Sequence, residues 1–163
     1  TAGPVKRVTL WVRDAERSLA VYRDALGLQV IEDKRLAGAA IARMVGLQNA
    51  SLRIVHLAQP GATHGWIGLY EISETQPQPL PGLAPPSGFP RYGQATVVIT
   101  VDAMTDIVAR LRTTPGVRFI TEPTEYLKTT AGDATPPGRY SEVIFVDPDG
   151  MQVSLMGYAA LDH

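Results

Sequence analysis

At the start of the chain Val8, Leu10 and Val12 alternate with Arg7, Thr9 and Trp11, the period of a strand buried on one face. The period then changes. Asp14 stands where a helix N-cap is needed, Glu16 favours the first turn, and Leu19, Tyr22 and Leu26 recur at helical spacing until Gly27 stops the run. The same pattern returns later. Val97, Ile99 and Val101 alternate with Thr96, Val98 and Thr100, Met104, Ile107, Val108 and Leu111 make a helical stripe, and Pro115 and Gly116 end it.

Laid over one another without a gap, residues 7–33 and 96–122 match at Val8 and Val97, Val12 and Val101, Ala20 and Ala109, Arg23 and Arg112, Gly27 and Gly116, and Ile31 and Ile120. An internal repeat dictates architecture. The ends of the copies also correspond, with residues 51–57 over 141–146 and, after a glycine turn, 66–70 over 152–156. Each copy reads as a βαβββ module whose last two strands form a hairpin. The predicted organisation is a first module over residues 5–75, a linker over 76–94 and a second module over 95–160. The linker holds Pro77, Pro79, Pro81, Pro85, Pro86 and Pro90, a composition that favours extended chain. Residues 39–47 read as a short helix, and residues 122–140, rich in Gly, Pro and Thr, as a long loop of the kind that forms lids.

Composition narrows the chemistry. The 163 residues contain no Cys and three His, and 15 Lys and Arg balance 16 Asp and Glu for a net charge of -1. Thiol nucleophiles, thiolate zinc sites and iron–sulfur ligation are excluded, which leaves His, Asp, Glu and main-chain oxygen as strong metal donors. The near-neutral charge, without a run of basic residues, argues against nucleic acid as a partner. No apolar stretch is long enough to span a bilayer and no secretory leader opens the sequence, so a cytoplasmic location with no membrane partner is expected.

Two motifs carry a family resemblance. The helix-one segment from Val12 to Leu28, with its Tyr22-Arg23-Asp24-Ala25-Leu26-Gly27 core, and the Asp147-Pro148-Asp149-Gly150 turn before the last strand resemble the vicinal oxygen chelate superfamily. The likeness extends over about Val5 to Tyr158. That group includes glyoxalase I, extradiol dioxygenases and bleomycin resistance proteins. It implies an α+β fold in which two βαβββ modules form a curved mixed sheet, a cup, with the helices on its outer face. Its enzymes hold a divalent metal at the floor of the cup, usually by His and Glu of the first and fourth strand of each module. By motif spacing those positions are Arg7, Gly68, Thr96 and Ser154 here, none of them a His or a carboxylate. No metal and no other cofactor is therefore expected.

What period two places on the inner face is instead a set of ligand-binding candidates: Arg7, Trp11, Trp66, Tyr70, Thr96, Gln152 and Ser154. Aromatic walls with a few orienting polar groups suit a small organic molecule. In this reading Arg7 replaces the positive charge of the metal and holds an anionic oxygen; the plainer reading is an edge-strand Arg paired with a surface acid. His56 and Tyr70 are the acid–base candidates, although a packed neutral His accounts equally for His56. His64 falls in a turn and His163 at the end of the chain, and the Asp147 motif reads first as turn chemistry. The expected function is metal-independent binding of a small aromatic or anionic molecule, as in the bleomycin resistance proteins. The alternative is a glyoxalase-like lyase or isomerase, or a dioxygenase relative, working metal-free or with atypical ligands. A homodimer is expected from the resemblance and from the commonness of two-fold symmetry.

Overall fold

The fold was obtained as a computed structural model, which describes residues 1–46, 51–72, 92–130 and 135–161. Most of the proline-rich segment and His163 lie outside the described residues. The chain divides into two compact units, Thr1–Pro81 and Gly82–His163.

The first unit runs β1 (Arg7–Trp11), α1 (Ala15–Leu19), β2 (Gln29–Ala37), α2 (Ala39–Val45), β3 (Ser51–Ala58) and β4 (Trp66–Ile72). Asp14 caps α1, its carboxylate accepting the Glu16 N–H at 2.9 Å and the Arg17 N–H at 3.3 Å. The helix continues as a π-helical turn, Ala20–Ala25, and Gly27 ends it in the left-handed conformation at φ 78°. The sheet has the order β1-β4-β3-β2, with β1 parallel to β4 and the other pairs antiparallel.

The second unit repeats this plan with β5 (Thr96–Val101), α3 (Met104–Thr113), β6 (Arg118–Phe119), β7 (Thr124–Lys128), β8 (Gly138–Val146) and β9 (Gln152–Ala159). Its order, β5-β9-β8-β6, is that of the first sheet, and β5 is again parallel to its neighbour. The repeat read from the sequence is thus a repeat of topology. Part of the segment read as a loop is a strand: Thr124–Lys128 pairs with β8. Its alternating Thr, Glu, Tyr, Leu, Lys pattern supports a strand, but the Gly and Pro on either side masked it.

Both sheets bury one face under a helix. In the first unit Leu10, Val12, Leu19, Val21, Tyr22, Val55, Leu57 and Leu69 are buried, and in the second Ile107, Val108, Leu111, Val143, Phe145, Val153 and Leu155. Each such side chain contributes about 1.5–3 kcal/mol on leaving water. The short helix α2 packs on the opposite face of its sheet from α1, where Ile41, Val45 and Leu36 lie against Leu52, Ile54, Tyr70 and Ile72. Among the described residues no helix is long and apolar enough to cross a membrane.

Candidate functional site

Strand registers decide which side chains share a face. In the first sheet Thr9 pairs with Gly68, Gly68 with His56, and His56 with Glu32, while Trp11, Tyr70, Ile54 and Lys34 form the next row on the same face. Arg7 and Trp66 pair at the near end. The face opposite α1 therefore carries Arg7, Trp11, Trp66, Tyr70 and His56 together, as the period-two reading expected of the first four.

His56 is the centre of a hydrogen-bond chain. It is buried at 5% exposure, with Nδ1 2.9 Å from Glu32 Oε2 and Nε2 3.2 Å from the Tyr70 hydroxyl. Burial pushes the imidazole pKa down, with the nearby Arg7 charge adding to that, while the hydrogen bond to Glu32 works in the other direction. The Glu32 carboxyl is held below the usual carboxylate range, first by its hydrogen bond to Lys34, 2.8 Å away, and then by His56. A neutral imidazole beside an ionised carboxylate has one sensible tautomer. Nδ1–H donates to Glu32, and the Nε2 lone pair accepts the Tyr70 O–H.

Around this chain the aromatic and cationic groups are arranged in contact. The Arg7 guanidinium carbon lies 5.8 Å from the centre of the Tyr70 ring, and among the described residues no carboxylate pairs with it. Trp11 meets Tyr70 edge to face at 5.6 Å and is 46% exposed. Trp66 is more firmly held: its Nε1–H donates to the Ala62 carbonyl at 2.8 Å, and the Lys6 ammonium stands 3.9 Å above its ring. Tyr70 itself is buried at 8% exposure, so it supports the face more than it offers surface. A side chain at Gly68 would meet Tyr70 Cε1 at 2.9 Å, His56 Cδ2 at 3.4 Å and Arg7 Cδ at 3.5 Å. The absence of a side chain there lets the three groups converge.

In the second unit Thr96 pairs with Gln152, and Val98 with Ser154, placing Thr96 at the exposed edge and Ser154, 7% exposed, inside the sheet. The Gln152 side-chain Oε1 accepts from the Gln94 side-chain Nε2–H at 2.5 Å. Further along, Tyr126 stacks on Tyr140 at 5.5 Å and Tyr140 leans on Tyr158 at 5.2 Å. The Tyr126 hydroxyl donates to Glu142 at 2.8 Å, and that bond raises its pKa.

The four positions at which related enzymes hold a metal do not suit one here. Gly68 has no donor, Arg7 is cationic, and Thr96 and Ser154 bring only hydroxyls. Among the described residues no three of His, Asp and Glu come together to hold an ion. Glu71, the nearest acid in the strand, points to the α1 side, where Oε2 accepts the Ala15 N–H at 2.7 Å. The Asp147 motif is a turn: Oδ1 accepts the N–H groups of Asp149 and Met151, each at 2.9 Å.

Two groups escaped the sequence reading. Glu32 faces His56 because the register between β2 and β3 shifts at a bulge between Val30 and Glu32; an unbroken ladder would set Ile31 there. Tyr158 continues the Gln152, Ser154, Met156 alternation, and Tyr140 and Tyr126 follow from the pairing of β8 with β9 and β7. Period two could have found Tyr158; the other two needed the strand register.

A family model for glyoxalase, described as the Glyoxalase/Bleomycin resistance protein/Dioxygenase superfamily, matches residues 5–155. The fold is similar to that of a glyoxalase family protein from Bacillus cereus, with 18% identity over 98% of this chain and 97% of that one and a TM-score of 0.73. It is also similar to a glyoxylase/bleomycin resistance protein/dioxygenase domain from Frankia, with 21% identity, coverage of 100% and 97%, and a TM-score of 0.60. TnmS3, an antibiotic binding protein from Streptomyces, matches with 18% identity, coverage of 97% and 98%, and a TM-score of 0.50. A search of curated proteins finds no significant match.

Proposed function

The chain belongs to the glyoxalase/bleomycin resistance protein/dioxygenase superfamily, and from that premise we propose that it binds a small aromatic or anionic organic molecule without a metal. One observation carries the reading: the Arg7 guanidinium lies over Tyr70 with no carboxylate partner among the described residues, on the same face as the exposed Trp11 and the fixed Trp66. A guanidinium paired with a surface acid would be an ordinary edge-strand charge. One stacked on an aromatic ring without such a partner is available to a carboxylate, sulfonate or phenolate. TnmS3 is an antibiotic binding protein of similar fold, which is consistent with this use. In the second unit Thr96, Gln152 and Ser154 are proposed to supply polar contacts. A homodimer and a cytoplasmic location belong to the same proposal. Binding of 2-naphthalenesulfonate, an aromatic anion, tests it. Arg7→Ala should lose that binding with an unchanged thermal midpoint, and unaltered affinity in the variant would overturn the role of Arg7.

The Glu32–His56–Tyr70 chain favours a second reading, a metal-free enzyme of the same superfamily that moves a proton. A proton leaving a carbon next to a carbonyl would pass to the Tyr70 oxygen as the Tyr70 proton passes to His56. The electron pair left behind would form an enolate facing Arg7. Deuterium exchange into phenylpyruvate above the buffer rate, lost in His56→Gln, would support this reading, and exchange at the buffer rate would retire it.

A further inference from the structure

We propose that anion binding at Arg7 is coupled to protonation of His56, so that the site takes up a proton as it takes up its ligand. The inference rests on the proposed anion site and adds its regulation. Its basis is the convergence at Gly68, where the Arg7 side chain, the imidazole of His56 and the ring of Tyr70 all approach one point.

Neutral His56 accepts the Tyr70 proton at Nε2 and donates from Nδ1 to Glu32, which commits both of its nitrogens. Protonation turns Nε2 into a donor. The Tyr70 oxygen then accepts from the imidazolium, and its own O–H is released to point elsewhere. Acidification therefore adds a positive charge on the face that carries Arg7 and frees the hydroxyl of the ring over which Arg7 lies. Both changes favour a bound anion.

The neighbours of His56 set the direction. Glu32, from β2, favours the imidazolium, while Arg7, from β1, and Lys34, from β2, oppose it. Tyr70 is the titratable group facing it from β4, and α2, packed beside it on Leu52, Ile54 and Tyr70, carries only the exposed Arg43 as a charged residue. An anion on Arg7 cancels the larger of the two opposing charges and raises the His56 pKa. By linkage, affinity must then rise as pH falls through the His56 titration.

The probe is 2-naphthalenesulfonate, whose own charge is fixed over this range. Calorimetry in two buffers of different ionisation enthalpy should show proton uptake on binding, and about three- to tenfold tighter binding near pH 5 than near pH 8. NMR titration of the histidine ring should show the His56 pKa rising when the probe is bound, and rising without any probe in Arg7→Gln. His56→Gln should lose the proton uptake and the pH dependence, whatever its affinity near pH 8. Probe affinity independent of pH without proton uptake would overturn the coupling and leave the anion site standing. A probe that fails to bind at any pH overturns the anion site itself. In that event an unchanged His56 pKa in Arg7→Gln overturns the charge coupling as well.

Discussion

The imidazole of His56 lies 2.9 Å from the carboxylate of Glu32, and this pairing does not make the histidine cationic, because burial outweighs it. A His whose pKa is lower folded than unfolded is a group the unfolded chain protonates first. Its contribution to stability is complete above the unfolded value, about 6.5, and is lost as pH falls from there through the folded value. Urea unfolding of the protein should therefore show a midpoint that declines below about pH 6.5, with a shallower decline in His56→Gln. Glu32→Gln removes the group that favours the charged form. The His56 pKa should fall further in that variant, read by NMR; a rise would mean that the assigned tautomer is wrong.

Gly68 gives a prediction in which the backbone is not the issue. Its Cβ position would lie 2.9 Å from Tyr70 Cε1, closer than carbon atoms normally approach, so Gly68→Ala must displace the Tyr70 ring. Overpacking of this kind costs about 1–3 kcal/mol. The expected signs are a lower denaturation midpoint and a disturbed His56 titration. An alanine variant with the stability and His56 pKa of the parent would show that the ring moves freely.

Asp147 should matter for folding and not for ligand. It is 2% exposed and its Oδ1 accepts two main-chain N–H groups of the turn that leads into β9. Replacing it with alanine removes the acceptor and leaves two half-buried donors unsatisfied, at about 1–3 kcal/mol. Thermal unfolding should register the loss, while added calcium or magnesium should leave the parent midpoint unchanged. Stabilisation by either ion would reopen the motif as a cation site.

The parts of the molecule that follow a strict period were legible in the sequence. Alternation sets the strand faces, which puts Arg7, Trp11, Trp66 and Tyr70 on one face from the sequence alone, and the repeat implies the shared strand order of the two sheets. Glu32 was not legible, because a single bulge reverses which residues of β2 face inward, and a bulge has no strong composition of its own. Strand β7 was hidden by its Gly- and Pro-rich flanks. The side of the sheet taken by α2 depends on tertiary packing of Ile41 and Val45, which a seven-residue helix does not specify.

The chain has two tryptophans, and both lie on the candidate face, so tryptophan fluorescence, excited selectively at the red edge, reports on that face. The two should separate on mutation. Trp66 is fixed by the Ala62 carbonyl and by Lys6, whereas Trp11 is 46% exposed and touches Tyr70 only by its edge. Trp66→Ala is expected to lower stability by about 2–4 kcal/mol through lost packing. Trp11→Ala should change the thermal midpoint little and weaken binding of an aromatic anion by about tenfold, since base-like stacking contacts of this size contribute about 1–1.5 kcal/mol. Trp66→Phe leaves Trp11 as the only tryptophan, and quenching of its emission by 2-naphthalenesulfonate would place the ligand against it. Quenching confined to Trp66 would move the aromatic contact to the Arg7 end of the face, and no quenching of either would remove the tryptophans from the site.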